Sequence, residues 1–191
     1  MKRTILFVLF AFLLFSSLFV LGGCDNGNGN SNSNSPFKLT SSAFKNNQRL
    51  ADKYCYTGVK GGQNISLPFN WVQPPENTQS FALILYDPDG ANWIHWAVFN
   101  IPVNSNSIAE NASGTNMPTG SVELENEFGS SGYGGPEPPA GSGTHRYIAT
   151  LYALNTTAIS GLGGFKSYAD ISAILSGKVI DKASLTGTYS R

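Results

Sequence analysis

The chain has 191 residues, with twelve Lys and Arg against twelve Asp and Glu and 12% aromatics. That length fits one domain with a substantial core and is short for two ordinary ones. Balanced charge gives no basic field for nucleic acid, and removal of Lys2 and Arg3 with the leader leaves ten against twelve, a net charge near −2.

Lys2 and Arg3 precede an uncharged apolar run, Ile5 to Leu21, and then the small residues Gly22 and Gly23, the order of an export signal. An uncleaved anchor is the competing reading, because the 17 residues from Ile5 to Leu21 come close to spanning a bilayer. Leu21-Gly22-Gly23-Cys24 resembles the lipobox of bacterial lipoproteins, which implies that residues 1–23 are removed and that Cys24 carries lipid. On that reading the protein is exported and anchored to the membrane through Cys24, facing the periplasm or the cell exterior. Asp25 to Ser35 is polar and low in complexity, so residues 24–36 are expected to be the lipidated cysteine and a flexible tether, and residues 37–191 the folded domain. With Cys24 acylated, Cys55 has no intramolecular partner and reads as a small buried apolar residue.

Phe37 to Phe44 alternates weakly enough for a first strand, and Tyr54-Cys55-Tyr56 is expected to be a second. Asn64 to Trp71 puts Ile65, Leu67, Phe69 and Trp71 on one face, a half-buried strand near an edge because Pro68 cannot donate to a ladder. Phe81 to Tyr86 is continuously apolar, as for a central strand covered on both faces. It ends in Asp87-Pro88-Asp89-Gly90, and His95 to Ile101 is another such run, stopped by Pro102. So short a connection predicts an antiparallel hairpin with Asp87 and His95 at the same end. Val103 to Gly120 reads as a surface loop with a possible short turn at Ile108, and Ser121 to Phe128 as holding a short strand. Gly132 to Gly143 is a Gly/Pro loop that runs into a strand from His145 to Leu154. Tyr168, Ile171, Ile174 and Leu175 have helical spacing, with Ser167 as N-cap and Gly177 as stop. Leu185 to Ser190 reads as a last strand. The sum is a mostly β protein with one credible helix.

The chain has two histidines, His95 and His145, and both lie at strand ends beside loops that carry Asp87, Asp89 or Gly/Pro segments. Asp-Pro-Asp-Gly satisfies type I turn preferences without any function, and a lone histidine beside tryptophan is commonly structural. Convergence of both histidines and two aspartates outweighs those readings. There is no Gly-x-Ser-x-Gly elbow, His-Glu-x-x-His or phosphate-binding P-loop, so neither an enzyme nor a cofactor or metal is expected. Ser130, Ser131 and Ser142 read as loop serines.

Asp87-Pro88-Asp89, Trp93-Ile94-His95-Trp96 with Asn100-Ile101-Pro102, and Gly132-Tyr133 through Gly135-Pro136 and Pro138-Pro139 to His145-Arg146-Tyr147 together resemble the phosphatidylethanolamine-binding protein family. The bacterial branch labelled Raf kinase inhibitor-like is the nearest match, over about Phe37 to Arg191. The resemblance implies an antiparallel β-sandwich with one or a few short peripheral helices. It also implies a small anion pocket for phosphate-type or phospholipid head-group ligands, lined by Asp87, Trp93, His95, His145 and Tyr147, with Asp89 beside it. Gly135, Pro136 and Pro138 belong to the loop expected to wall it. Imidazolium groups and a phenol would donate to the ligand. Two departures stand out: Gly90-Ala91 where the family has Ala-Pro after the second aspartate, and Glu137 where many bacterial relatives have cysteine. Competing functions are a protein-interaction or inhibitor module of protease or kinase type, with no particular partner indicated, and a hydrolase or metal-dependent enzyme built on the same Asp/His cluster.

Overall fold

The structure, a computed structural model, describes residues 36–191. The leader, Cys24 and all of the tether except Pro36 lie outside the described residues. In chain order the elements are β1 (Lys38–Thr40), β2 (Gln48–Arg49), a 3-10 turn (Asp52–Tyr54), β3 (Phe69–Val72), β4 (Ser80–Asp87), β5 (Trp93–Pro102), β6 (Ser107–Ile108), β7 (Val122–Glu123), β8 (His145–Leu154), α1 (Tyr168–Leu175) and β9 (Val179–Tyr189).

They form a three-stranded sheet, β1-β3-β6, and a six-stranded sheet, β2-β9-β8-β4-β5-β7. Every pairing is antiparallel except β2 with β9. β4 lies between β5 and β8, and its side chains divide by parity as a period-2 strand requires. Phe81, Leu83 and Leu85 join the main core with Phe69 and Trp71 of β3. Ala82 and Ile84 pack on the other face with Ile171 and Leu175 of α1. A strand apolar on both faces is thus sandwiched between a second sheet and a helix, the burial its sequence demanded. α1 begins with a capping box, in which the Ser167 hydroxyl accepts from Asp170 N–H and the Asp170 carboxylate accepts from Ser167 N–H. After α1, Gly177 takes a left-handed φ of 72°.

Several sequence expectations need correction. Tyr54-Cys55-Tyr56 is no strand, because Tyr54 N–H donates to Ala51 O at 3.0 Å and Cys55 N–H to Asp52 O at 2.9 Å, closing a local 3-10 turn. Cys55 itself is free and fully buried, as expected. The strand foreseen over residues 64–71 is confined to Phe69–Val72. Asn64 has φ 53° and directs its amide to the loop at residues 133–135, which removes it from any ladder. The turn at Ile108 is a two-residue strand against β3. β1 is shorter than the run from Phe37 to Phe44, and β2 had no visible signal. β9 starts six residues before Leu185, since its first half, Val179 to Lys182, is solvent-exposed on both faces and carries no alternation.

Candidate functional site

Three strand ends converge at one end of the larger sheet, along its central strands. Asp87 closes β4 opposite Trp93 of β5, and His145 opens β8, whose Ile148 lies opposite Tyr86. The hairpin thus brings Asp87 and His95 to one end, as its short connection required. Within it, Leu85 pairs with Trp96 while Tyr86 pairs with Ile94, so His95 is the extra residue of a β-bulge. A bulge re-aims one side chain without ending the strand.

The loop before β8 holds that side chain in place. His95 O accepts from Gly134 N–H at 2.8 Å, and His95 Nδ1 lies 2.6 Å from Gly134 O. A carbonyl only accepts, so Nδ1 carries the proton. Burial pushes His95 down to about 4, which leaves the ring neutral at pH 7 and Nε2 as a bare lone pair. The imidazolium donor foreseen from the sequence is therefore not the form this ring takes. Tyr147 meets it edge-on, ring centroids 5.1 Å apart. Burial drives the Tyr147 phenol far above its ordinary value, so it stays a donor.

His145 has a different environment. Asp87 Oδ2 lies 2.6 Å from His145 Nδ1, and Asp87 Oδ1 accepts from Asp89 N–H at 2.8 Å and Gly90 N–H at 3.0 Å. The carboxylate therefore caps its own turn and orients the imidazole. His145 Nε2 lies 3.0 Å from Ser142 Oγ. Asp89 is engaged by Arg146, whose Nε and Nη2 donate at 3.0 and 2.8 Å, and the guanidinium holds the carboxyl down at about 2. Tyr147 and His145 share the inward face of β8, while Arg146 between them points outward.

These groups surround a cleft of about 500 Å³. Seven of the nine side chains foreseen for it line it: Asp87, Asp89, Trp93, His95, Pro138, His145 and Tyr147. Gly135 and Pro136 do not. A Cβ on Gly135 would fall 2.1 Å from Tyr54 O, and its N–H donates to Asn64 Oδ1 at 2.7 Å. Pro136 O accepts from Tyr56 N–H at 3.1 Å. This pair seats the loop on the 3-10 turn rather than facing the cleft.

Sequence reasoning missed Phe128 and Ser142 as lining residues. Phe128 stacks on Tyr56 at 4.2 Å and contacts Trp93 edge-on at 5.5 Å, an arrangement with no local sequence signature. Ser142, between two glycines, has the composition of a linker. Glu137, noted as a departure, also lines the cleft and sits 3.4 Å from Arg191.

Two polar atoms in the cleft stand out. Among the described residues four buried side-chain atoms have no hydrogen-bond partner, and two of them, Tyr147 Oη and Trp93 Nε1, belong to cleft residues. Tyr147 is 1% exposed. An unpartnered buried donor costs about 1–3 kcal/mol, so these two are the costly polar atoms of the cleft. Among the described residues no three His, Cys, Asp or Glu side chains are grouped to hold a metal. Nor is any described helix long and apolar enough to cross a membrane.

Comparison with known proteins agrees with this architecture. Residues 40–190 match the family model described as phosphatidylethanolamine-binding protein. A UPF0098 protein of Methanothermobacter thermautotrophicus is 39% identical over 156 residues, covering 80% of this chain and 98% of its own length. The UPF0098 protein YbcL of Escherichia coli is 36% identical, covering 80% and 87%. Its crystal structure, titled as a new member of the mammalian PEBP family, superposes with a TM-score of 0.77, covering 82% of this chain and 99% of that one. A putative PEBP homologue from Chlamydia trachomatis, 30% identical, gives 0.69 with coverage of 81% and 97%. None of these names is that of an enzyme. With the family model spanning the whole sandwich and its strand-end blocks in order, the chain belongs to the phosphatidylethanolamine-binding protein family, in the branch of YbcL and YbhB.

Proposed function

We propose that the cleft is a binding pocket for a small phosphate-type anion, free or as a phospholipid head group, on a domain tethered to the membrane through lipid on Cys24. The pair of unpartnered donors, Tyr147 O–H and Trp93 Nε1–H, carries this reading. Neutral His95 adds an acceptor at Nε2 beside them. Donors and a lone pair together suit a monoprotonated phosphate, which has oxygens to accept and one P–OH to donate. The aromatic wall of Trp93, Phe128 and Tyr147 lowers the local dielectric and strengthens each of these bonds. Glu137 adds a negative charge to the rim, offset by Arg191.

Titration with orthophosphate and with phosphorylethanolamine, followed by histidine NMR signals, tests the pocket. Both ligands are expected to shift His95 and His145, and calorimetry of the His95→Ala, His145→Ala double variant, which has no histidine signal of its own, is expected to show binding lost. No shift in the wild type at millimolar ligand sinks the reading. The anchor has its own test: lipid labelling in cells that Cys24→Ala abolishes, with release of the domain from the membrane fraction.

A further inference from the structure

We propose that Ser142, His145 and Asp87 form a nucleophilic relay, and that the cleft transfers acyl groups from small carboxylic esters through Ser142 Oγ. The proposal rests on the same unpartnered donors as the pocket reading, and adds a chemical step to it.

Proton bookkeeping along the chain of contacts is restrictive. Asp87 Oδ2, 2.6 Å from His145 Nδ1, can only accept there, so Nδ1 is protonated. In the neutral ring Nε2 is then a lone pair, and Ser142 O–H, 3.0 Å away, is the donor that faces it. Ser142 Oγ also lies 2.8 Å from Pro139 O. The hydroxyl therefore has two seats for one proton: the carbonyl when His145 is an imidazolium, and Nε2 when it is neutral. The second arrangement is that of a serine activated by a positioned base. Asp87 is fixed in turn by two backbone N–H groups on Oδ1, so the orienting carboxylate cannot swing away. Ser142 is solvent-exposed and lines the cleft, which puts its hydroxyl within reach of a bound ester.

The step balances without a co-reactant other than water. Oγ attacks the ester carbonyl, its proton passes to Nε2, and the carbonyl π pair moves onto oxygen. Tyr147 and Trp93 line the same cleft as Ser142, and their unpartnered O–H and Nε1–H are the donors assigned to that oxyanion in this proposal. Collapse breaks the bond to the leaving alkoxide, which takes the proton from Nε2 and departs as the alcohol. Water, deprotonated by the same nitrogen, then attacks the acyl carbon, the bond to Ser142 Oγ breaks, and Oγ takes the proton back from Nε2 as the carboxylic acid departs. The sequence lacks a nucleophile elbow, and the serine instead comes from a Pro139–Ser142 turn three residues before the histidine.

The test uses the full chain in detergent and an alkyl fluorophosphonate, which loses fluoride as its phosphorus bonds to a reactive serine oxygen. Peptide mass spectrometry is expected to place the adduct on Ser142. Ser142→Ala should abolish it, His145→Gln should slow labelling about a hundredfold, and Ser130→Ala with Ser131→Ala should leave it unchanged. No adduct at Ser142 in wild-type protein, or an undiminished rate in His145→Gln that still melts cooperatively, overturns the relay. Orthophosphate titration of the same samples separates the two readings. Wild-type protein that binds phosphate and is not labelled overturns the relay alone. Protein labelled in a His145-dependent way without binding phosphate supports the relay and overturns the anion pocket.

Discussion

The β4–β5 hairpin is irregular at both ends, and the two irregularities have opposite outcomes. At the Ser80–Pro102 end the register shifts between Phe81 and Leu83, and Asn100 adopts φ 56°. There every displaced group is satisfied: Asn100 donates to Ile159 O at 3.1 Å and accepts from Ile159 N–H at 2.8 Å, and Ser80 Oγ donates to Thr156 O at 2.5 Å. At the other end the bulge turns His95 into the cleft, where the Tyr147 Oη and Trp93 Nε1 donors have no protein partners. The same backbone device thus serves as a seam in one place and a socket in the other. A loop reaches in at both ends, and what separates them is that at the second it claims only His95 O and Nδ1 and leaves the Tyr147 and Trp93 donors unclaimed.

The contrast can be broken from either side. The largest effect is expected at the socket. As pH falls from 6.5 to about 4, the unfolded chain takes up a proton at His95 that the buried ring in the folded chain refuses. Stability therefore declines across that window, by about 3 kcal/mol in all. Urea midpoints measured from pH 7 to pH 4 should show the slope, and His95→Gln should flatten it; an equal slope in the variant refutes the assignment. At the seam, Asn100→Ala removes two hydrogen bonds and a side chain tolerant of left-handed backbone, and should cost about 2 kcal/mol in the same assay while leaving phosphate binding intact. Tyr147→Phe sharpens the difference, because deleting an unpartnered hydroxyl should leave stability equal or raise it by about 1 kcal/mol. Its phosphate affinity, read by calorimetry, should fall about tenfold. A loss of stability instead would assign Tyr147 a structural partner. The smallest effect is at the hairpin turn, where Ala91 sits at φ 61°. Ala91→Gly relieves that strain and should raise stability by about 0.5 kcal/mol, read as a small rise in the melting midpoint.

The sequence carried the central hairpin and β8 because their apolar runs are long and end in Pro, Gly or Asp. α1 was legible because Ser167, the helical spacing and Gly177 all agree. Residues 54–56 look like a strand because tyrosine and cysteine are good β-formers, yet a 3-10 turn and not a ladder buries Tyr54 and Cys55. The start of β9 is not legible because Val179 to Lys182 are exposed and show no period-2 alternation. Within the site, Asp87, His95, His145 and Tyr147 were legible because aspartates and both histidines sit at strand ends and the family blocks fix their order. Their protonation was not: that His95 is neutral follows from its burial, and that Nδ1 holds the remaining proton follows from the Gly134 carbonyl 39 residues away. Ser142 and Phe128 reach the cleft through turn geometry and ring stacking, which have no linear period.

The three tryptophans occupy unlike surroundings, which makes the molecule its own optical sensor. Trp71 is buried in the core between the sheets, and Trp96, also buried, donates its indole N–H to Glu123 at 2.7 Å. Trp93 alone of the three lines the cleft, with its indole N–H unclaimed and Phe128 against its ring. A molecule that enters the cleft and accepts from that N–H alters the polarity around one emitter while the other two stay constant. Intrinsic fluorescence therefore offers a label-free readout of occupancy, and Trp93→Phe supplies its blank.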